Sequence, residues 1–178
     1  MNAQWLSLVF CRELDDLGKE LDLFADETLI WATVPGVANS VGTITLHLCG
    51  NMQHFIGAKL GGSGYVRNRE HEFAARDVPR ADLRAEIGRA RAAVVSTLAT
   101  LPESQLAEVC LHVPNGMRLP TGLFLLHLAT HLSYHIGQAG YLRRVLTGDN
   151  ASTGAVGFAG LASAVMPSTT NIVLVEAL

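Results

Sequence analysis

Three histidines stand at four-residue steps in the segment LLHLATHLSYHIGQAG: His127, His131 and His135. On an α-helix, residues four apart lie about 40° apart in azimuth and about 6 Å apart along the axis, so two such rings can lean over one ion. Imidazole nitrogens bind zinc at about 2.0–2.1 Å. His127 and His135 are two turns and about 12 Å apart, so one ion cannot take all three. At about 100° per residue, His131 and His135 fall within roughly 20° of the line through Phe124 and Leu142, whereas His127 sits about 60° to one side. The expected chelating pair is His131 and His135, with His127 on the shoulder. Buried without a partner, each unsatisfied group would cost about 1–3 kcal/mol, a penalty that a shared metal removes. The structural alternative is a pair of core histidines bonded to backbone, Tyr or Gln.

A third ligand has to come from another helix, because no Asp or Glu lies between Gly122 and Gly148. His47 and His54 both sit on an earlier helical segment, two turns and about 20° apart, and spacing does not choose between them. His71 and His112 fall in loop segments. Cys49 lies about 200° around the helix from His47 and should point away. Di-metal carboxylate bundles need Glu-x-x-His pairs on two helices, c-type haem needs C-x-x-C-H and zincins need H-E-x-x-H. None of these motifs occurs.

Four amphipathic stretches must position these side chains. Leu6, Phe10, Leu14, Leu17, Leu21 and Phe24 recur at helical steps, opposite Arg12, Asp15, Asp16 and Lys19. Val34-Pro35-Gly36 breaks the chain, and Asn39 or Ser40 can cap a second helix that carries Ile44, Leu48, Phe55 and Ala58 and stops near Gly61-Gly62. The polar stretch 61–79 reads as loop or broken helix, in which Arg67, Arg69 and Glu72 could form a cofactor-contacting cluster, although a solvated loop is the default expectation. After Pro79 the period returns at Leu83, Ile87, Ala90, Val94, Leu98 and Leu101. A linker from Pro102 to Pro120 contains the turn signal Asn115-Gly116. Thr121 can cap a fourth helix, with Phe124, Leu128, His131, His135, Leu142 and Leu146 as its stripe and Gly148 as its C-terminal stop. Gly137 and Gly140 would let another helix approach. The expectation is an all-α four-helix bundle over residues 1–150. Residues 151–178 form an apolar extension with one charge, Glu176, and a strand-like run at Ile172–Val175; it should pack on the bundle or at a subunit interface.

Composition narrows the function. Of 178 residues, 49% are hydrophobic and 16% charged, enough for a large core and against disorder. A net charge of -3 and an aromatic content of 6% provide neither a basic footprint nor a stacking platform for nucleic acid, and no attraction to an acidic membrane. Cys11, Cys49 and Cys110 form no C-x-x-C pair, and an odd, scattered count fits a reducing compartment. With no basic n-region at the start and no apolar run of about 18 residues, the expectation is a cytoplasmic protein.

The string HLSYHIGQAGYLRR, His131 to Arg144, resembles the last-helix signature of the DinB-like (YfiT-type) metal-binding bundles. SVGTITLHLCGNMQHFIGAKLGG followed by RNREHEF is similar to the second helix of that family and the segment after it. The resemblance spans roughly Trp5 to Gly148. It implies an up-down-down-up bundle, often dimeric, that binds one divalent metal, commonly zinc or nickel, through three histidines. Carried over position by position, these are His47, His131 and His135. It further implies a small-molecule substrate and either transfer or isomerisation with a low-molecular-weight thiol, or hydrolysis. Against this stands a non-catalytic dimeric bundle in which the histidines, or a metal they hold, are structural. No general base is evident on the last helix, and Tyr134, Gln138, Tyr141 and Arg143 read as packing or surface residues.

Overall fold

The structure is a computed structural model that describes residues 2–158 and 161. Its helices are α1 (Ala3–Asp22), α2 (Val41–Met52), the short α3 (Arg69–Ala74), α4 (Arg80–Thr100) and α5 (Thr121–Thr147). A π-helical stretch, Gln53–Leu60, prolongs α2, and the strands β1 (Val109–Cys110) and β2 (Leu119–Pro120) pair antiparallel in the linker before α5. The caps follow local chemistry. Asn2 and Ser40 accept backbone N–H groups at the starts of α1 and α2, and Gly148 ends α5 at φ 67°, a left-handed position that costs glycine little.

Side-chain pairs give the helix directions. Arg91 meets Asp15 at 3.2 Å and Arg84 meets Asp22 at 3.7 Å, so α1 and α4 run antiparallel. Arg143 meets Glu20 at 2.6 Å, near the C-terminal ends of both helices, so α1 and α5 run parallel. Gln53 reaches Glu86 and Thr97 reaches the Ile56 carbonyl, so α2 and α4 run parallel. Phe55 stacks edge-on against Phe124 while Ile44 and Leu142 line one groove, so α2 and α5 run antiparallel. The bundle is therefore all-α with up-down-down-up order, as expected.

The stripe of α1 is buried throughout, as are Leu83, Ile87, Ala90, Val94 and Leu98 of α4. Each such side chain contributes about 1.5–3 kcal/mol by leaving water. Helix α2 is the inner element: every residue from Val41 to Met52 is buried, because α3, α4, α5 and the 3-10 turn Glu27–Trp31 surround it.

Four local expectations change. The stretch 61–79 contains α3, whose Glu72 is 4% exposed and ion-paired to Arg67. Thr121 does not cap α5; its hydroxyl and amide both donate to the Glu108 carbonyl, which ties the helix start to the strand pair. Phe124, Leu128 and Leu142 of the expected α5 stripe are buried, but the buried face also takes in Leu125, Leu132, Ile136 and Ala139, and His131 and His135 are half-buried on its shoulder toward α2. Gly140 lets Glu20 approach, its absent Cβ lying 2.9 Å from the carboxylate, whereas Gly137 faces open space. The strand-like run at Ile172–Val175 and most of the extension lie outside the described residues.

Candidate metal centre

His47 of α2 and His131 and His135 of α5 converge. Their ring centroids are 5.4 Å apart for His47–His131, 5.6 Å for His47–His135 and 4.6 Å for His131–His135. One nitrogen from each lies within 4.8 Å of the others, close enough to hold one metal ion. His54, in the π-helical stretch that prolongs α2, stacks on Phe55 and lies outside the trio. His127 is exposed, 6.4 Å from His131 between centroids. Cys49 is also outside the trio; burial raises its thiol pKa, which keeps it protonated.

Hydrogen bonds orient two of the rings. Glu72 Oε2 lies 3.2 Å from His47 Nδ1, and Arg67 grips both Glu72 oxygens at 2.6 and 2.7 Å. Burial alone would raise the Glu72 pKa, but hydrogen bonds from Arg67 and His47 outweigh it and hold the carboxyl below its ordinary value. The same Nδ1 also lies 3.3 Å from Arg67 Nη2, between an acceptor and a donor; with its proton on Nδ1 facing Glu72, His47 would present the Nε2 lone pair. Gln138 Oε1 does the same for His135 Nδ1 at 2.7 Å. A carboxylate or amide behind a histidine is the usual outer partner at metal sites, and it raises the basicity of the ring.

His131 has no such support. Its Nδ1 is buried without a hydrogen-bond partner. Burial, then the nearby His135, His47 and His127 rings, push its pKa down to about 4, and burial lowers that of His135. At neutral pH these imidazoles carry a lone pair rather than a charge. Three imidazoles with one nitrogen each within 4.8 Å of the others are a donor set that a divalent cation takes, so the residues present fit such an ion.

The approach of Glu72 depends on Gly50. A Cβ at that position would collide with the Glu72 carboxylate, so the bare helix surface is where the acid docks. Glu72→Gln keeps the shape and removes the charge. It is expected to lower zinc affinity about 10–100-fold, measured by competition with a chromophoric chelator. An unchanged affinity would show that the acid plays no part in binding.

The trio opens into a cavity of about 690 Å³, also lined by Asn51, Phe55, Arg67, Arg69 and Phe73, with Pro114 and Asn115 of the linker along its wall. The three histidines expected together do converge, whereas Arg67 and Glu72, expected in solvent, are largely buried. The signal available was an acid in RNREHEF with an arginine five residues before it, which periodicity does not weigh. Arg143, read as packing or surface, is fully buried.

Fold and site together define a four-helix bundle with a three-histidine cluster, open on one side to a cleft. The chain belongs to the family described as "Protein of unknown function (DUF1572)", which matches residues 4–157. No curated protein and no solved structure matches it. Among the described residues, no helix is long and apolar enough to cross a membrane.

Proposed function

We propose that the protein is a metal-dependent enzyme that binds one divalent ion, zinc or nickel, through His47, His131 and His135 and acts on a small molecule. One observation carries this reading: three imidazoles from two helices meet within 4.8 Å at the wall of a large open cavity. A structural zinc site is closed by four protein ligands, whereas a catalytic one has three and keeps a position open. When bound, such an ion supplies Lewis acidity that favours the deprotonated form of a water or a thiol.

This chain's own residues do the positioning. Glu72 and Gln138 hold the His47 and His135 rings, and Phe55 and Phe73 supply apolar walls. Among the described residues, no carboxylate lines the cavity to serve as general base. That favours a nucleophile that ionises easily, and a thiol, with a pKa of about 8.5 when free, does so far more readily than water. The resemblance to DinB-like bundles points the same way, toward transfer or isomerisation with a low-molecular-weight thiol, and toward a homodimer in the reducing cytoplasm. Hydrolysis is the second reading.

The test is a screen of zinc- and nickel-loaded protein against small electrophiles with several low-molecular-weight thiols or with water alone. Turnover with a thiol and none without it supports the transferase reading, and turnover in water alone assigns hydrolysis. Metal-loaded protein inert in every arm would leave the non-catalytic bundle.

A further inference from the structure

The charge lining the cavity is one-sided. Arg67 and Arg69 border it together with the three histidines, and among the described residues no acid does. Glu72 sits behind His47 and occupies Arg67 Nε and Nη2, leaving Nη1 without a partner among the described residues. Arg69 forms no ion pair among the described residues; its guanidinium carbon lies 5.0 Å from the centre of the Phe73 ring. Phe73 also packs on His47, with ring centroids 5.1 Å apart, so one aromatic ring touches both the arginine and the trio. A second feature is the Asn51 side chain, 7% exposed, which lines the cavity with its amide oxygen unpartnered.

We propose that the small molecule taken here carries an anionic oxygen group, a carboxylate or a phosphate, which Arg69 and Arg67 Nη1 bind while its reacting end faces the three histidines. The proposal rests on the metal-site reading for where the reacting end lies, but the arginine pair stands without it. Guanidinium forks match carboxylate and phosphate oxygens, and charge-assisted hydrogen bonds are about twice as strong as neutral ones. A dication would raise the positive potential of the cavity further, and the chain supplies no acid on its wall to balance it. Glu72, turned behind His47, is already paired with Arg67, so a ligand anion is the group that would meet Arg69 and Arg67 Nη1. Phe55 and Phe73 take its apolar part.

The test is isothermal titration of zinc-loaded and metal-free protein with benzoate, phenyl phosphate and benzyl alcohol, which share a ring and differ in the charged group. At least one anion should bind more tightly than the alcohol in both forms of the protein, and the tighter of the two identifies the group. Arg69→Ala should weaken that anion about tenfold with zinc content unchanged, and Arg69→Lys should recover part of the loss. Equal anion affinity in Arg69→Ala and unmodified protein would overturn the proposal, as would an alcohol that binds as tightly as both anions. Absence of bound zinc would strike the metal reading alone, because the metal-free arm tests the arginines separately.

Discussion

A His131→Ala variant is expected to purify without metal while remaining folded. His131 is the central member of the trio, with ring centroids 4.6 Å from His135 and 5.4 Å from His47. Removing a direct donor should reduce affinity well beyond the about 10–100-fold that follows loss of an outer partner. Elemental analysis of protein prepared without chelators should fall from about one equivalent to background, and any turnover should vanish with it. The fold should survive, because the metal-free ring leaves its Nδ1 unsatisfied and alanine is the best helix former. A control follows from protonation. The folded pKa of this ring is lowered from 6.5 to about 4, so as pH falls through that window the unfolded chain takes up a proton that the folded chain refuses. The contribution of His131 to metal-free stability is therefore whole above pH 6.5 and is lost toward about 4. Denaturant titrations of His131→Ala should show a shallower acid loss. A full equivalent of metal in the variant would refute the ligand assignment.

The second large effect concerns stability alone. Arg143 is fully buried, paired with Glu20 at 2.6 Å, and donates to the carbonyls of Asp149 and Ala151. Breaking a buried pair by removing one partner costs about 3–5 kcal/mol, because an unneutralised charge is left behind, whereas replacing both partners by apolar groups is often neutral. Arg143→Met should lose stability in that range by urea titration, and Glu20→Met with Arg143→Met should regain most of it. A loss below about 1 kcal/mol in the single variant would mean that the carboxylate finds solvent or protonates cheaply.

How much was legible beforehand depended on whether a feature has a period. The four long helices and their core stripes were, since apolar residues at steps of three and four need no knowledge of neighbours. So was the His131–His135 pair, fixed by one helix turn. The choice between His47 and His54 came from the resemblance, because azimuth along one helix does not say how far up a neighbour reaches. Arg67 and Glu72 were misread because their burial depends on Gly50 leaving room on another helix, and a glycine in a buried helix does not announce what docks there. Arg143 takes the packing role of the two expected for it, but its partner has no period to reveal it: Glu20 lies on the first helix, brought close by the parallel arrangement of α1 and α5.

The acid that steadies His47 belongs to a six-residue helix hung between two irregular connections, outside the four long helices that make the scaffold. Insertions or substitutions in that side segment would reset how tightly the proposed centre takes an ion, or which ion it prefers, while the bundle stays intact. Divergence among related chains should therefore concentrate its effects on metal preference there, with the scaffold inherited largely unaltered.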